Sequence, residues 1–178
     1  MQTSRVPYSK LLMMENQKTL VIVRHGKSSW DFQGVSDIDR PLKERGVKNA
    51  YEIAERLKNH GVMPEMILSS PACRAIHTAI IFMRMLDIPE DKLRIKSDIY
   101  LAGTEDILRV IALTDDEINT LMIFGHNPGF TDLVNNLSDL NIPNVPTAGV
   151  VILNFRVKDW GSLERSVYIS GKHEFPGE

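Results

Sequence analysis

Short apolar runs that end in polar residues and a turn recur along this chain and most constrain its fold. Leu20-Val21-Ile22-Val23 precedes Arg24-His25-Gly26, and Leu121-Met122-Ile123-Phe124 precedes Gly125-His126-Asn127. Met66-Ile67-Leu68 has the same layout and leads through Ser69-Ser70-Pro71 to Arg74. Short apolar runs bounded by turn residues are typical of buried strands, so we predict a strand at each run.

Helical periodicity separates these strands. Pro41 opens a pattern of apolar residues at helical spacing that Gly61 ends, and Thr104 is placed to cap a helix with Asp106 in its first turn. We predict helices over residues 41–61, 75–86 and 104–113 and from near Pro128, and closing strands over 150–155 and 166–169, with an antiparallel arrangement as one option. The alternation predicts an α/β fold, a three-layer α/β/α sandwich around a mostly parallel sheet.

Composition and charge limit the classes of protein. The 178 residues fit one domain, with 43% hydrophobic and 25% charged residues. We expect residues 1–18 to form an extension, 19–170 the domain and 171–178 a tail. A net charge of −2 argues against general affinity for nucleic acid or anionic lipid, and no apolar run approaches the roughly 20 residues of a membrane span. A lone cysteine, Cys73, fits a reducing cytoplasm, and no pattern indicates an oligomeric state.

Ligands of open α/β sheets bind beyond the carboxyl ends of the strands. Convergence of the three strand ends would gather Arg24, His25, Arg74 and His126 in one pocket. Two guanidinium groups and a protonated His126 supply three positive charges, which suit a phosphate dianion. The remaining neutral histidine, His25, is a nucleophile for phosphorus.

These motifs resemble the histidine phosphatase superfamily, the group that includes phosphoglycerate mutases and acid phosphatases. Arg24-His25-Gly26 resembles its signature, Arg74 its second arginine and Gly125-His126 its second histidine. The resemblance covers residues 20–155 and implies a phosphoglycerate mutase-like fold. Residues 27–31 and 37–42, together with the short chain, are most similar to the short phosphohistidine phosphatase type called SixA.

The resemblance implies a phosphatase that forms a phosphohistidine intermediate on His25. One ring nitrogen would attack phosphorus while the other donates its N–H to a backbone carbonyl. Arg24, Arg74 and His126 would hold the phosphoryl oxygens, and the expected cofactor and metal requirement is none. Three further residues are candidates for substrate binding: Ser28, Asp31 and Asn127.

Two departures from the wider family influence the expected substrate. Asp31 stands where mutase-like members usually have an asparagine, and no glutamate acid stands in residues 99–102. An imidazole leaving group needs less protonation than an alkoxide, so this absence favours phosphohistidine over a sugar phosphate. A site without a large lid domain can admit a side chain displayed on another protein, so we expect the phosphohistidine to lie on a partner protein. Asp31, Asp37, Asp39 or Glu105 remains an alternative acid. Two other readings stay open: a phosphomonoesterase for small sugar or nucleotide phosphates, and a non-catalytic phosphate-binding module.

Overall fold

The predicted alternation of strands and helices is present in the structure, a computed structural model that describes residues 17–31 and 33–177. Within these residues there are six strands: β1 (Gln17–Arg24), β2 (Met66–Ser69), β3 (Leu93–Ile95), β4 (Thr120–Gly125), β5 (Val150–Arg156) and β6 (Tyr168–Glu174). The four helices are α1 (Glu44–Asn59), α2 (Cys73–Met85), α3 (Thr104–Ala112) and α4 (Gly129–Leu137).

All six strands form one sheet in the order β3-β2-β4-β1-β5-β6. The pairs β3–β2, β2–β4 and β4–β1 are parallel, whereas β5 is antiparallel to both β1 and β6. The mostly parallel sheet and the antiparallel option for the closing strands are both confirmed.

The central strands are buried on both faces, because helices cover the two sides of the sheet. In β1, Leu20 and Ile22 pack into a cluster with α3 and α4, while Val21 and Val23 pack into a second cluster with α1 and α2. Successive side chains of a strand point to opposite faces, so one apolar run serves two cores. The result is the predicted three-layer sandwich.

Several element boundaries differ from the sequence predictions. Pro41 lies before α1, which begins at Glu44, and Thr104 is the first residue of α3, with Gly103 rather than Thr104 at the N-cap position. The Thr104 cap prediction is therefore wrong; no side chain caps that end. β6 continues through residues 171–174, the start of the predicted tail, and most of the predicted extension, residues 1–16, lies outside the described residues.

No helix in the described part of the chain is both long and apolar enough to cross a membrane.

Candidate active site

The carboxyl ends of β1, β2 and β4 lie at the same level of the sheet. Arg24 pairs with Gly125, and Ser69 pairs with Phe124. The backbone N–H of His25 then donates to the Gly125 carbonyl at 3.1 Å, which brings the first and third motifs side by side.

A cavity of about 330 Å³ opens at this edge of the sheet. It is lined by Arg24, His25, Lys27, Ser28, Trp30, Asp37, Arg40, Arg74, Leu101, His126, Asn127 and Thr147. The structure thus brings together the four residues that the sequence singled out for catalysis.

His25 is held as a neutral imidazole whose two ring nitrogens have different partners. Its Nδ1 lies 2.7 Å from the Gly26 carbonyl oxygen and donates to it, and its Nε2 accepts from Arg74 Nε at 3.3 Å. Burial lowers the His25 pKa to about 4, and the nearby charges of Arg74 and Arg24 act in the same direction. At neutral pH, Nε2 is therefore unprotonated, and its lone pair faces the cavity cation Arg74.

The loop that carries His25 is clamped from two sides. The Gly26 N–H donates to Thr78 Oγ1 at 3.0 Å, and that hydroxyl donates to the Arg74 carbonyl at 2.6 Å. A Cβ on Gly26 would lie 2.8 Å from the Gly46 carbonyl oxygen at the start of α1. Gly26 is not among the described residues with positive φ, so close packing against α1, rather than an unusual turn, requires glycine here.

Arg74 lies in the first turn of α2 and is almost fully buried. Besides His25, its guanidinium contacts Asp37 twice: Nη2 donates to the carboxylate at 2.8 Å, and Nη1 donates to the backbone carbonyl. Nη2 also lies 3.4 Å from His126 Nδ1. One guanidinium thus links both histidines and an acid of the cavity wall.

Arg24 has a guanidinium N–H group without a hydrogen-bond partner. Its Nη1 donates to the Val145 carbonyl at 2.7 Å and lies 3.3 Å from Asn144 Oδ1, whereas its Nε is buried without a hydrogen-bond partner. Burial also lowers the Arg24 pKa. A buried, unpaired N–H of a cation is costly, so Arg24 is prepared for an anionic ligand.

His126 is buried beside His25, with 4.9 Å between the ring centroids. Its Nε2 lies 2.8 Å from Ser70 Oγ. Burial, followed by the His25 and Arg74 charges, lowers the His126 pKa to about 3. The expected protonated His126 is therefore neutral in this state, and a bound phosphate dianion would favour its protonation.

Two of the three predicted substrate-binding residues line the cavity and one does not. Ser28 and Asn127 line the cavity: Ser28 Oγ accepts from Arg40 Nη2 at 2.6 Å, and Asn127 Nδ2 donates to the Val145 carbonyl at 3.1 Å. Asp31 does not line it. Its exposed carboxylate accepts from Ser29 Oγ and pairs with Lys43, and these contacts lower the Asp31 pKa.

Sequence reasoning gave no role to two cations of the cavity wall, Arg40 and Lys27. Arg40 is buried, and its guanidinium lies over the Trp30 ring, 3.2 Å from the centroid. Lys27 adds another cation, and Tyr100 donates to the Asp37 carboxylate at 2.7 Å. Arg40 stands in a polar, aspartate-rich segment, so nothing in its local sequence indicates burial. Within the described residues, no three His, Cys, Asp or Glu side chains are arranged to hold a metal ion.

Comparison with known proteins shows which family the chain resembles. Residues 20–96 match the sequence profile of the histidine phosphatase superfamily (branch 1). The structure is also similar to that of a putative phosphohistidine phosphatase SixA from Agrobacterium tumefaciens, with a TM-score of 0.70, 28% sequence identity, and coverage of 80% of this chain and 94% of that one. The matched residues are less than half of the chain, and over them the chain is similar to the histidine phosphatase superfamily.

Two further proteins are similar to this chain. The structure of a putative phosphohistidine phosphatase SixA from Nakamurella multipartitia has a TM-score of 0.78 at 21% sequence identity. The match covers 91% of this chain and 98% of that one, which supports the fold. A 2,3-bisphosphoglycerate-dependent phosphoglycerate mutase from Erythrobacter litoralis is 40% identical over 81 residues. That match spans 42% of this chain and only 35% of the mutase. The family and the fold together support a phosphatase enzyme.

Proposed function

We propose that this protein is a histidine phosphatase that hydrolyses phosphohistidine on a partner protein through a phosphoryl intermediate on His25. The observation that carries the proposal is the state of the His25 ring. Nδ1 is committed to the Gly26 carbonyl, and the Nε2 lone pair lies inside a cavity lined by cations. A neutral histidine in such a place is a nucleophile for a phosphoryl group.

The surrounding cations match the charge of the transition state. Arg24 and Arg74 would hold the equatorial phosphoryl oxygens. A bound dianion would favour the protonated form of His126, which would then donate a hydrogen bond to the same oxygens. Lys27 and Arg40 line the same cavity and add positive charge. Ser28 and Asn127 would contribute further polar contacts to the phosphoryl group.

Two displacements complete the reaction. His25 Nε2 attacks phosphorus, and the bond from phosphorus to the substrate's ring nitrogen breaks with its electron pair remaining on that nitrogen. Water then attacks the phosphorylated His25. The phosphorus–nitrogen bond electrons return to Nε2, and inorganic phosphate leaves with the oxygen of water.

Two features favour phosphohistidine over a phosphate ester. Among the described residues that line the cavity, Asp37 is the one carboxylic acid, and it is engaged by arginines rather than free to protonate an alkoxide. The cavity mouth also includes Trp30, 74% exposed, and Leu101, 60% exposed, which are suited to contact a protein surface. The relatives named as putative phosphohistidine phosphatases add support.

The test is phosphate release from a phosphohistidine protein, an aryl phosphate and a panel of sugar phosphates, with and without chelator. His25→Ala should abolish turnover of every substrate. His77→Ala is the matched control, because His77 is exposed on α2 and does not line the cavity. Chelator-resistant release that is greatest with phosphohistidine is the expected result.

Other results would redirect the assignment. Preference for one sugar or nucleotide phosphate would indicate a small-molecule phosphomonoesterase. Phosphate binding without release from any substrate would indicate a binding module, and full activity of His25→Ala would overturn the mechanism.

A further inference from the structure

Asp37 introduces a negative charge into a cavity otherwise built for anions. It lies on a short 3-10 turn, Asp37–Asp39, between β1 and α1. Its Oδ1 accepts from Arg40 Nη1 at 2.7 Å, and its Oδ2 accepts from Arg74 Nη2 at 2.8 Å and from the Tyr100 hydroxyl at 2.7 Å. Tyr100 in turn packs edge-on to the His126 ring, with centroids 5.5 Å apart.

The Asp37 carboxylate has acceptor capacity left. An ionised carboxylate offers about four lone-pair sites, and the three donors above use three of them. The side chain remains 39% exposed, so the remaining site on Oδ1 is open to a ligand in the cavity.

Asp37 is ionised in this arrangement. Burial raises its pKa, but hydrogen bonds from Tyr100, Arg40 and Arg74 outweigh burial and hold the pKa well below its usual range. The group is therefore an acceptor of hydrogen bonds and a poor proton donor, which argues against the general-acid role that the sequence left open for it.

A carboxylate repels a phosphate dianion, so its presence calls for a positively polarised partner in the substrate. Phosphohistidine supplies one, because the ring nitrogen that does not carry phosphorus can carry a proton. We infer that Asp37 is a specificity-determining residue that accepts the N–H of the leaving imidazole and so selects phosphohistidine over phosphate esters. This inference rests on the proposed function.

The step needs no external acid. His25 Nε2 forms its bond to phosphorus as the substrate's phosphorus–nitrogen bond breaks, and that electron pair returns to the substrate ring. The ring, already protonated on its other nitrogen, leaves as neutral imidazole. Asp37 holds that N–H throughout and transfers no proton. An ester has no such N–H, so its leaving oxygen gains nothing from Asp37.

Asp37→Asn tests the inference because it keeps the size of the side chain and removes its charge. The readout is the ratio of kcat/KM for a phosphohistidine peptide to kcat/KM for an aryl phosphate. The substitution also loosens Arg74, which affects both substrates alike and cancels in the ratio. The amide oxygen of asparagine still accepts an N–H, so replacing a charged acceptor with a neutral one predicts a fall in this ratio of roughly 10-fold.

Two further variants control for structure. Asp39→Asn alters a carboxylate of the same turn that accepts from Ser36 and does not line the cavity, and its ratio should equal that of the wild type. Tyr100→Phe removes one donor to Asp37 but keeps the charge, so its ratio should fall less than that of Asp37→Asn.

The outcomes separate this inference from the proposed function. Wild-type protein that hydrolyses the aryl phosphate but not the phosphohistidine peptide would refute the proposed function and the inference with it. Wild-type activity on both substrates with an unchanged ratio in Asp37→Asn would refute the inference alone, because Asp37 would then act only by positioning Arg74.

Discussion

Thr78→Val should distinguish the contribution of the Thr78 hydrogen bonds to the His25 loop from the contribution of side-chain packing. Thr78 is fully buried, and its hydroxyl is the one contact between the Gly26 N–H and the Arg74 carbonyl. Valine has almost the same shape but cannot hydrogen-bond. Because Gly26 also presents the carbonyl that orients His25, losing this contact should affect both stability and catalysis.

The magnitude follows from the two hydrogen bonds. In Thr78→Val the Gly26 N–H stays buried without an acceptor, which costs about 1–3 kcal/mol, and the bond to the Arg74 carbonyl adds about 0.5–1.5 kcal/mol. We expect a total loss of about 1.5–4.5 kcal/mol in the free energy of unfolding. Thr78→Ser keeps the hydroxyl and loses one methyl group, for about 1 kcal/mol.

Urea denaturation and kcat/KM for an aryl phosphate, measured on both variants, provide the assay. Thr78→Val should be the less stable variant and should also have the lower kcat/KM, since its Gly26 carbonyl is no longer held for His25. Equal unfolding free energies and equal kcat/KM in the two variants would refute the reasoning, because the hydroxyl would then contribute nothing.

Two further predictions concern the histidines. Ser70→Ala removes the hydroxyl at 2.8 Å from His126 Nε2 and should lower kcat/KM by about 3- to 10-fold. The control is Ser69→Ala, which deletes a neighbouring buried hydroxyl that donates to a backbone carbonyl. Equal losses of kcat/KM in the two variants would contradict a specific role for Ser70. In an NMR titration, the His25 ring should titrate near pH 4 rather than at its ordinary 6.5. Since the unfolded chain takes up this proton at higher pH than the folded chain, acidification from about pH 6.5 to 4 should lower the free energy of unfolding, and His25→Ala should reduce that slope.

The strand ends show what could be predicted from sequence. Arg24, His25 and His126 each follow an apolar run directly, and a parallel arrangement of such runs brings their ends to one edge of the sheet. Arg74 was placed by its position just after β2, at the start of α2. These residues could be found because their positions depend on local patterns repeated along the chain.

The contacts of Asp37 and Arg40 could not be predicted from the sequence. Both lie in a polar segment with no periodicity, and their positions depend on contacts with residues distant in sequence. Asp37 meets Arg74 and Tyr100, 37 and 63 positions away. Asp31, from the same segment, pairs with Lys43 outside the cavity. Local sequence does not distinguish these aspartates, because each could accept from any nearby donor.

The sequence by itself determined the classes of structure and chemistry: an α/β sandwich whose apolar strands end in two arginines and two histidines. Tertiary structure alone decided the strand order, the neutral state of His126 and the pairing of the Asp37 carboxylate with two arginines in the cavity wall. The physical reason is the distance along the chain over which each property is set. Hydrophobic periodicity and strand ends are properties of neighbouring residues, whereas burial, proton affinity and ion pairing depend on which distant segments the sheet brings together.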